Sequence, residues 1–390
     1  MADNSYDVIV AGAGPAGSSL AIRLATAGLR VMIVEQKQFP REKLCGEFIS
    51  PECLVHFDDL GVSADISSSN GTSLEKTVFY SRGGRGVSVR SEWFGNADLH
   101  ALGLSRAEMD RVLIERARSL GVEVLQDTGV SGLLMVKDIV CGVTVKDKNG
   151  NVVEKTAKLT VDATGRTRSL ARRLDRSTDQ RSAAKHVAFK THLRGADVDA
   201  GACEIYVYRG GYGGCNRVEN NLYNLCFIVS VDDTKRLNSD AERVMREVVF
   251  TNERARSAMN NAVVAKPWLA VPIERFGRGE LVPANGLICV GDSAAFIDPF
   301  TGSGILLALE SGKIAANAIV RELNDLGQMA KLYKRNYSAS FDARLRVCSM
   351  LRHAAFSPLI AEAVISVLSL NDSFSRKVAR ATRFNASRGV

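Results

Sequence analysis

Gly12-Ala13-Gly14-Pro15-Ala16-Gly17 follows the apolar run Val8-Ile9-Val10-Ala11 directly and leads into a helix-forming segment. No other feature restricts the fold as tightly. In a strand–loop–helix unit the first glycine permits the tight turn, the second lets backbone approach a pyrophosphate, and the third lets helix pack on strand. The helix N-terminus offers free N–H groups and positive dipole to phosphate. A second apolar strand, Val31-Met32-Ile33-Val34, ends in Glu35, about 20 residues beyond the loop. A carboxylate there can accept hydrogen bonds from both ribose hydroxyls of an adenosine. Strand, helix, strand and acid in register predict a βαβ unit and a parallel, doubly wound sheet that binds a dinucleotide. Glu35 would repel a 2′-phosphate, so NADP at this site is disfavoured and FAD and NAD remain.

The chain has 390 residues, 46% of them hydrophobic and 24% charged, which excludes disordered, collagenous and disulfide-scaffold classes. That length suggests two domains. Residues 105–120 read as an amphipathic helix and 122–125 as a strand; three β-like runs fill 130–162, the last two joined at Asn149-Gly150, a hairpin signal. Residues 187–194, 203–210 and 222–231 are β-rich, with a glycine-dense turn, Gly210-Gly211-Tyr212-Gly213-Gly214, between the last two. A buried strand at 287–291, a helix at 303–323 and helical pattern over 327–384 follow. The expected architecture is α/β: a Rossmann-type dinucleotide domain (1–75, 100–183 and 286–326) interrupted by an antiparallel β-sheet substrate domain (76–99 and 184–285), with a C-terminal helical segment (327–390).

Two later elements separate FAD from NAD. Leu159-Thr160-Val161-Asp162-Ala163-Thr164-Gly165 is an apolar strand closed by a glycine turn. Gly286 to Val290 is another, closed by Gly291-Asp292 and followed by Asp298-Pro299-Phe300-Thr301-Gly302-Ser303-Gly304. An aspartate at a strand end can bond a polyol hydroxyl, and a helix opening near Gly304 aims N–H groups at an electron-rich edge. For a flavin those groups would stabilise charge at N1/C2=O of the reduced ring. NAD has no ribityl chain to need this second site, whereas FAD does.

With these residues in place, the sequence resembles the para-hydroxybenzoate-hydroxylase-type flavoproteins, and within them the geranylgeranyl-reductase-like branch. The resemblance rests on Gly12–Gly17 with Glu35, Cys45-Gly46-Glu47 followed by Ser50-Pro51, and Ser105-Arg106 with Asp110. Asp162–Gly165 with Ser169 and Arg172, and Gly291-Asp292 with Pro299 and Gly302–Gly304, complete it. It implies an FAD-dependent oxidoreductase in which Gly12, Gly14, Ala16, Gly17, Glu35, Arg106, Gly165, Asp292, Pro299, Gly302 and Gly304 contact the cofactor, and NAD(P)H is the electron donor. Where many hydroxylases carry Asp-Gly, Ala163-Thr164-Gly165 stands instead.

Three chemistries share this scaffold: reduction of a C=C bond by flavin hydride, hydroxylation of an aromatic or polyketide-type ring through a C4a-hydroperoxide, and halogenation. The halogenase hallmark W-x-W-x-I-P is absent, since Trp93 and Trp268 are far apart. In F-x-x-P-x-x-S-x-G, Phe296, Pro299 and Gly304 match but Gly302 takes the serine position. Reduction of a small or lipid-like substrate is the favoured reading, and hydroxylation the alternative. In the reductase branch a cysteine in the Cys45 segment sits near the flavin, which leaves substrate contact, redox partnership, flavin attachment and plain packing open for Cys45. Glu47 is either an acid/base group or a seat for the loop.

The remaining features carry less. The formal charge is +8, concentrated at Arg166, Arg168, Arg172, Arg173, Arg176 and Arg181 and in the tail from Arg376 to Arg388. No nucleic-acid-reading motif accompanies it, so nucleic acid is not expected as a partner. The 8 cysteines form no C-x-x-C pair and no zinc spacing; most lie in apolar runs and read as small core residues. The 5 histidines (56, 100, 186, 192 and 353) are scattered and read as structural. Tyr206, Tyr208, Tyr212 and Phe227 belong to the core or line a cavity. The apolar run Leu351 to Leu370 caps the substrate tunnel, packs as core or touches a membrane. No basic segment precedes an apolar one at the N-terminus, so a cytoplasmic location is expected.

Overall fold

The computed structural model describes residues 5–94, 99–174, 184–274, 276–297, 302–355 and 376. Its first three elements are β1 (Tyr6–Ala11), α1 (Pro15–Thr26) and β2 (Val31–Val34). β1 and β2 pair in parallel, and their apolar, non-alternating runs Val8–Ala11 and Val31–Val34 suit strands covered on both faces. They belong to a seven-stranded sheet ordered Glu123–Leu125, β2, β1, Val152–Asp162, Ile139–Asp147 and Thr128–Val136, with Leu287–Cys289 also pairing Val152–Asp162. Val152–Asp162 serves two architectures. Its first half pairs antiparallel with Ile139–Asp147 across the Asn149-Gly150 hairpin, and its second half runs parallel to β1 and to Leu287–Cys289.

α1, the helix Arg106–Ser119 and the helix Gly304–Glu322 cover one face of the parallel sheet and share its largest core cluster. Gly304–Glu322 buries nearly its whole length. The following helix, Leu326–Ala355, is tied to the sheet where the buried Tyr333 hydroxyl donates to the Cys289 carbonyl at 2.6 Å. Among the described residues no helix is long and apolar enough to cross a membrane. Pro299, most of the 356–390 tail and the side chains of the Leu351–Leu370 run lie outside the described residues. Arg376 lies over the Trp93 ring at 5.6 Å.

The second sheet has eight strands, ordered Val263–Val264, His186–Arg194, Tyr223–Ser230, Gly211–Arg217, Ala202–Tyr208, Lys76–Tyr80 and Gly86–Arg90, with Leu269–Ile273 also pairing His186–Arg194. Every pair is antiparallel except Ala202–Tyr208 with Lys76–Tyr80. Its two faces differ. On one, Phe189, Leu193, Tyr206, Tyr208 and Phe227 pack against the helices Ala241–Glu247 and Glu253–Met259. On the other, Ala188, Lys190 and His192 alternate with them in register with Ile228, Cys226 and Asn224. Tyr206, Tyr208 and Phe227 are therefore core, whereas Tyr212 stands on the second face among Ala188, Ile228 and Ile273.

One expectation is corrected. Gly211 to Gly214 do not form a turn but sit inside the strand Gly211–Arg217, paired on both sides. Crowding between strands explains the glycines: a Cβ on Gly211 would run into the Ile228 carbonyl, and one on Gly213 would lie 2.8 Å from the Phe227 side chain.

Candidate active site at the junction of the two sheets

The loop between β1 and α1 is built for close approach. Gly12 adopts φ +104, where L-residues are strained, and a Cβ there would collide with the Ala163 carbonyl. A Cβ on Gly17 would strike the Gly12 carbonyl, so helix and loop touch backbone to backbone. Gly14 caps α1 with no side-chain hydrogen bond, Pro15 follows, and the first turn carries no acid. The N–H groups at this helix end are left for an anion. Ala16 is buried, 2.7 Å from where a Cβ on Gly291 (φ +59) would stand, which brings the second glycine turn against the first. Glu35 is 6% exposed, its Oε2 accepting from Ala13 N and its Oε1 from Lys37 N, both at 3.0 Å. Asp162 organises the turn below, accepting from Thr164, Leu170, Ala171 and Ser293, with Gly165 at φ +78.

A cationic groove runs from this loop. Arg106 places Nε and Nη2 on Asp110 at 2.9 and 2.7 Å, and Arg41 shares the same carboxylate at 2.9 Å. Burial opposes charge on Arg106, but Asp110, and after it Cys45, more than offset this and raise its pKa. Lys43 has weaker relief: desolvation first, then Arg41 and Arg106, push its ammonium down against the pull of Glu35. Burial lowers Arg166 as well, against the pull of Asp292. Asp292 is itself pushed up by burial despite Arg106, Lys43 and Arg166. Four cations thus crowd a groove with too few anions, beside an uncapped helix end and a backbone cradle that no Cβ could enter. This donor set fits the diphosphate of FAD. Asp292, at the far end, makes no hydrogen bond to the described residues and is available to a hydroxyl.

Gly302 (φ +60) lies against Phe48, 3.0 Å from its ring at the Cβ position, and Gly304 opens the helix Gly304–Glu322 with open space around it. That helix start has neither a side-chain cap nor an acid in its first turn. Gly12, Glu35, Gly165 and Asp292 follow the carboxyl ends of the parallel strands Tyr6–Ala11, Val31–Val34, Val152–Asp162 and Leu287–Cys289, and Arg106 lies beside Gly14; Pro299 is outside the described residues.

Cys45 and Glu47 occupy the seam between the sheets. Glu47 is fully buried at φ +51, an unusual conformation for a non-glycine residue. Its Oε1 accepts from Arg106 N at 2.9 Å and from Lys190 Nζ at 2.5 Å, its Oε2 lies 2.6 Å from His192 Nε2, and its carbonyl accepts from Asn216 Nδ2. Lys190 also reaches Glu42 at 3.0 Å, and Lys266 closes the rim on Glu42 at 2.5 Å. Burial alone would lower the Lys190 ammonium, yet Glu47 and then Glu42 outweigh it and hold it up. Burial likewise would raise Glu42, but Lys266 and Lys190 bring it down to about 2. Asn224 Nδ2 donates to the Cys45 carbonyl at 3.2 Å, and Glu47 N points at Cys45 Sγ at 3.4 Å.

Lys190, His192, Glu42 and Lys266 were not legible as site residues from spacing. One signal exists: within Val187–Leu193 the alternate positions Lys190 and His192 are charged or ionisable in a strand whose other face carries Val187, Phe189, Thr191 and Leu193. His56, by contrast, pairs with Glu310 at 3.0 Å, away from the seam. Beyond Lys190 this face of the second sheet turns apolar, with Ala188, Tyr212, Ile228 and Ile273 packed against Leu44, Phe276 and Phe296, the last two rings stacked at 5.2 Å.

Glycine loop, strand-end acid and second glycine turn on a doubly wound sheet, facing an antiparallel sheet, define a flavin-binding oxidoreductase fold. The chain belongs to the FAD binding domain family, whose profile matches residues 5–336. It is 29% identical over 345 residues to digeranylgeranylglycerophospholipid reductase of Methanosarcina acetivorans, covering 85% of this chain and 80% of that one. It is 26% identical over 356 residues to the 1H-pyrrole-2-carbonyl-[peptidyl-carrier protein] chlorinase of Pseudomonas fluorescens, covering 83% and 78%. In structure it is similar to a geranylgeranyl bacteriochlorophyll reductase-like protein of Thermoplasma acidophilum (TM-score 0.79, 21% identity, 94% and 92% covered). A flavin-dependent brominase variant overlaps comparably (TM-score 0.80, 19% identity, 98% and 96%). The protein is thus an FAD-dependent oxidoreductase enzyme with a geranylgeranyl-reductase-like sequence.

Proposed function

We propose that this enzyme reduces C=C bonds of a small or lipid-like substrate, with electrons drawn from NAD(P)H. The observation that carries the reading is the reductase relative, similar over most of both chains. Two features of the cleft support it: an apolar wall centred on Tyr212 and Ile228 suits an isoprenoid-like chain, and the sequence lacks the paired tryptophans of halogenases.

FAD, when bound, supplies two-electron reduction. Gly12, Gly14, Ala16 and Gly17 with the α1 N-terminus hold its diphosphate, Arg106 and Lys43 balance the charge, and Glu35 takes the adenosine ribose. Gly165 shapes the turn beneath, Asp292 would take a ribityl hydroxyl, and the helix opening at Gly304 would direct N–H groups to the ring, the polarity that suits negative charge there. The apolar face of Ala188, Tyr212 and Ile228 suits an apolar chain, and Cys45, beside Asn224 of the same sheet, contacts the substrate.

The test uses the FAD-loaded enzyme under anaerobic conditions with NADH or NADPH and a geranylgeranyl lipid. Gain of two hydrogens per double bond, read by mass spectrometry, is the expected result. Turnover only in oxygen, with a hydroxylated product, would overturn the reading in favour of monooxygenation; dependence on halide would favour halogenation.

A further inference from the structure

Lys190 and His192 come from the middle of the second sheet, far in sequence from the loop they hold, and each is 1% exposed. Both act on Glu47, at 2.5 and 2.6 Å, and on no other residue of the Cys45–Glu47 loop in the hydrogen bonds formed. Glu47 in turn directs its backbone N–H at Cys45 Sγ. A continuous chain of contacts therefore runs from the sheet, through one carboxylate, to one sulfur. We infer that Lys190 and His192 are positioning residues that fix the Cys45 thiol in the cleft by clamping Glu47 across the seam between the two sheets.

Three physical points carry this. First, a buried ionic cluster contributes little stability over apolar packing of equal volume, so its value lies in where it puts things. Here it joins segments that share no strand. Secondly, Glu47 sits in the left-handed region, a strained conformation that persists only when its surroundings over-determine it. Lys190, His192, Arg106 N and Asn216 supply that determination. Thirdly, the charges close. The carboxylates Glu42 and Glu47 are matched by the ammonium groups of Lys190 and Lys266. Glu42, Glu47 and His192 lie at metal-ligand spacing, but Lys190 Nζ already stands between the two carboxylates and supplies the positive charge there.

The inference deepens the reading of Cys45 as a substrate contact, and its test does not depend on that reading. The FAD-loaded enzyme is alkylated with iodoacetamide, and labelling of each cysteine is followed by peptide mass spectrometry. Cys203 and Cys289 are pushed up to about 12 by burial and stay protonated at neutral pH, so they report on global opening rather than on the clamp. In Lys190→Met, Cys45 labelling is expected to change about tenfold while flavin content and the protection of Cys203 and Cys289 hold. Lys190→Arg, which keeps a donor cation, should return the rate to within about threefold of the parent. His192→Leu is the second variant and decides the matter if Lys190→Met does not fold. Cys45 rates within about threefold of the parent in every flavin-retaining variant would overturn the clamp, as would a Lys190→Arg rate equal to that of Lys190→Met. Cys45→Ser with full reductase turnover would instead remove the substrate contact and leave the clamp standing.

Discussion

Glu35 and Glu47 are both buried carboxylates near the ends of short strands, yet they are held in opposite ways. Glu35 accepts from two backbone N–H groups of its own nucleotide unit, Ala13 and Lys37, with the Arg41 guanidinium 3.5 Å from its Oε2. Glu47 takes Lys190 and His192 from another sheet. The first arrangement leaves a carboxylate that is already desolvated and aligned, ready for a ribose hydroxyl. The second uses all of the carboxylate inside the protein. A buried acid of one kind belongs to a ligand site, and one of the other kind belongs to the joint that shapes the site.

Substitutions and titrations would break or sharpen that contrast. The largest effect is expected at the loop that serves Glu35: Gly12→Ala places a Cβ on the Ala163 carbonyl and adds left-handed strain of about 1–3 kcal/mol, so the purified protein should carry no flavin absorbance. Glu47→Ala comes next. Removing one partner of a buried ion pair costs about 3–5 kcal/mol, to be read in urea unfolding of the protein stripped of FAD. Glu35→Ala should lose about 1.5–3 kcal/mol of FAD affinity by titration calorimetry, the worth of a charged hydrogen bond. Equal destabilisation of the stripped protein by both changes would erase the distinction.

The two titrations are smaller. Lys43 is depressed in the open groove, and a diphosphate would favour its charged form; binding should take up a proton, and FAD affinity should fall as pH rises through the Lys43 titration. Lys43→Met should be weaker and flatter against pH. Glu42 titrates at about 2 when folded against an ordinary 4.5, so its stabilising contribution is complete above the ordinary value and is lost as pH falls from there toward 2. Glu42→Gln should flatten the acid limb of the stability curve. Lys266→Ala, at the half-exposed rim, should shift the midpoint by no more than about 1 kcal/mol.

What the sequence made legible follows the same division. Gly12, Gly17 and Glu35 act through local backbone geometry, and their spacing announces it. Strand periods likewise marked Val31–Val34 and the Asn149-Gly150 hairpin correctly. The Gly211–Gly214 stretch misled because glycine permits a turn and equally permits two strands to crowd; only the partner strand, with the Ile228 carbonyl and Phe227, decides. His192 and Lys190 stayed hidden because their partner, Glu47, comes from a segment with no sequence link to theirs. The polar alternation in Val187–Leu193 hinted at a special face but not at what it meets.

The parallel pairing of Lys76–Tyr80 with Ala202–Tyr208 has a consequence for anyone who would transplant this cleft. The second sheet draws strands from two separated stretches of the chain, so its modularity is spatial and not genetic. A graft of residues 186–273 alone would leave the recipient to supply the edge strands 76–90, and with them the register of the wall. Lineages that acquire new substrates on such a scaffold are steered toward repainting the existing face, side chain by side chain, rather than toward exchanging it whole.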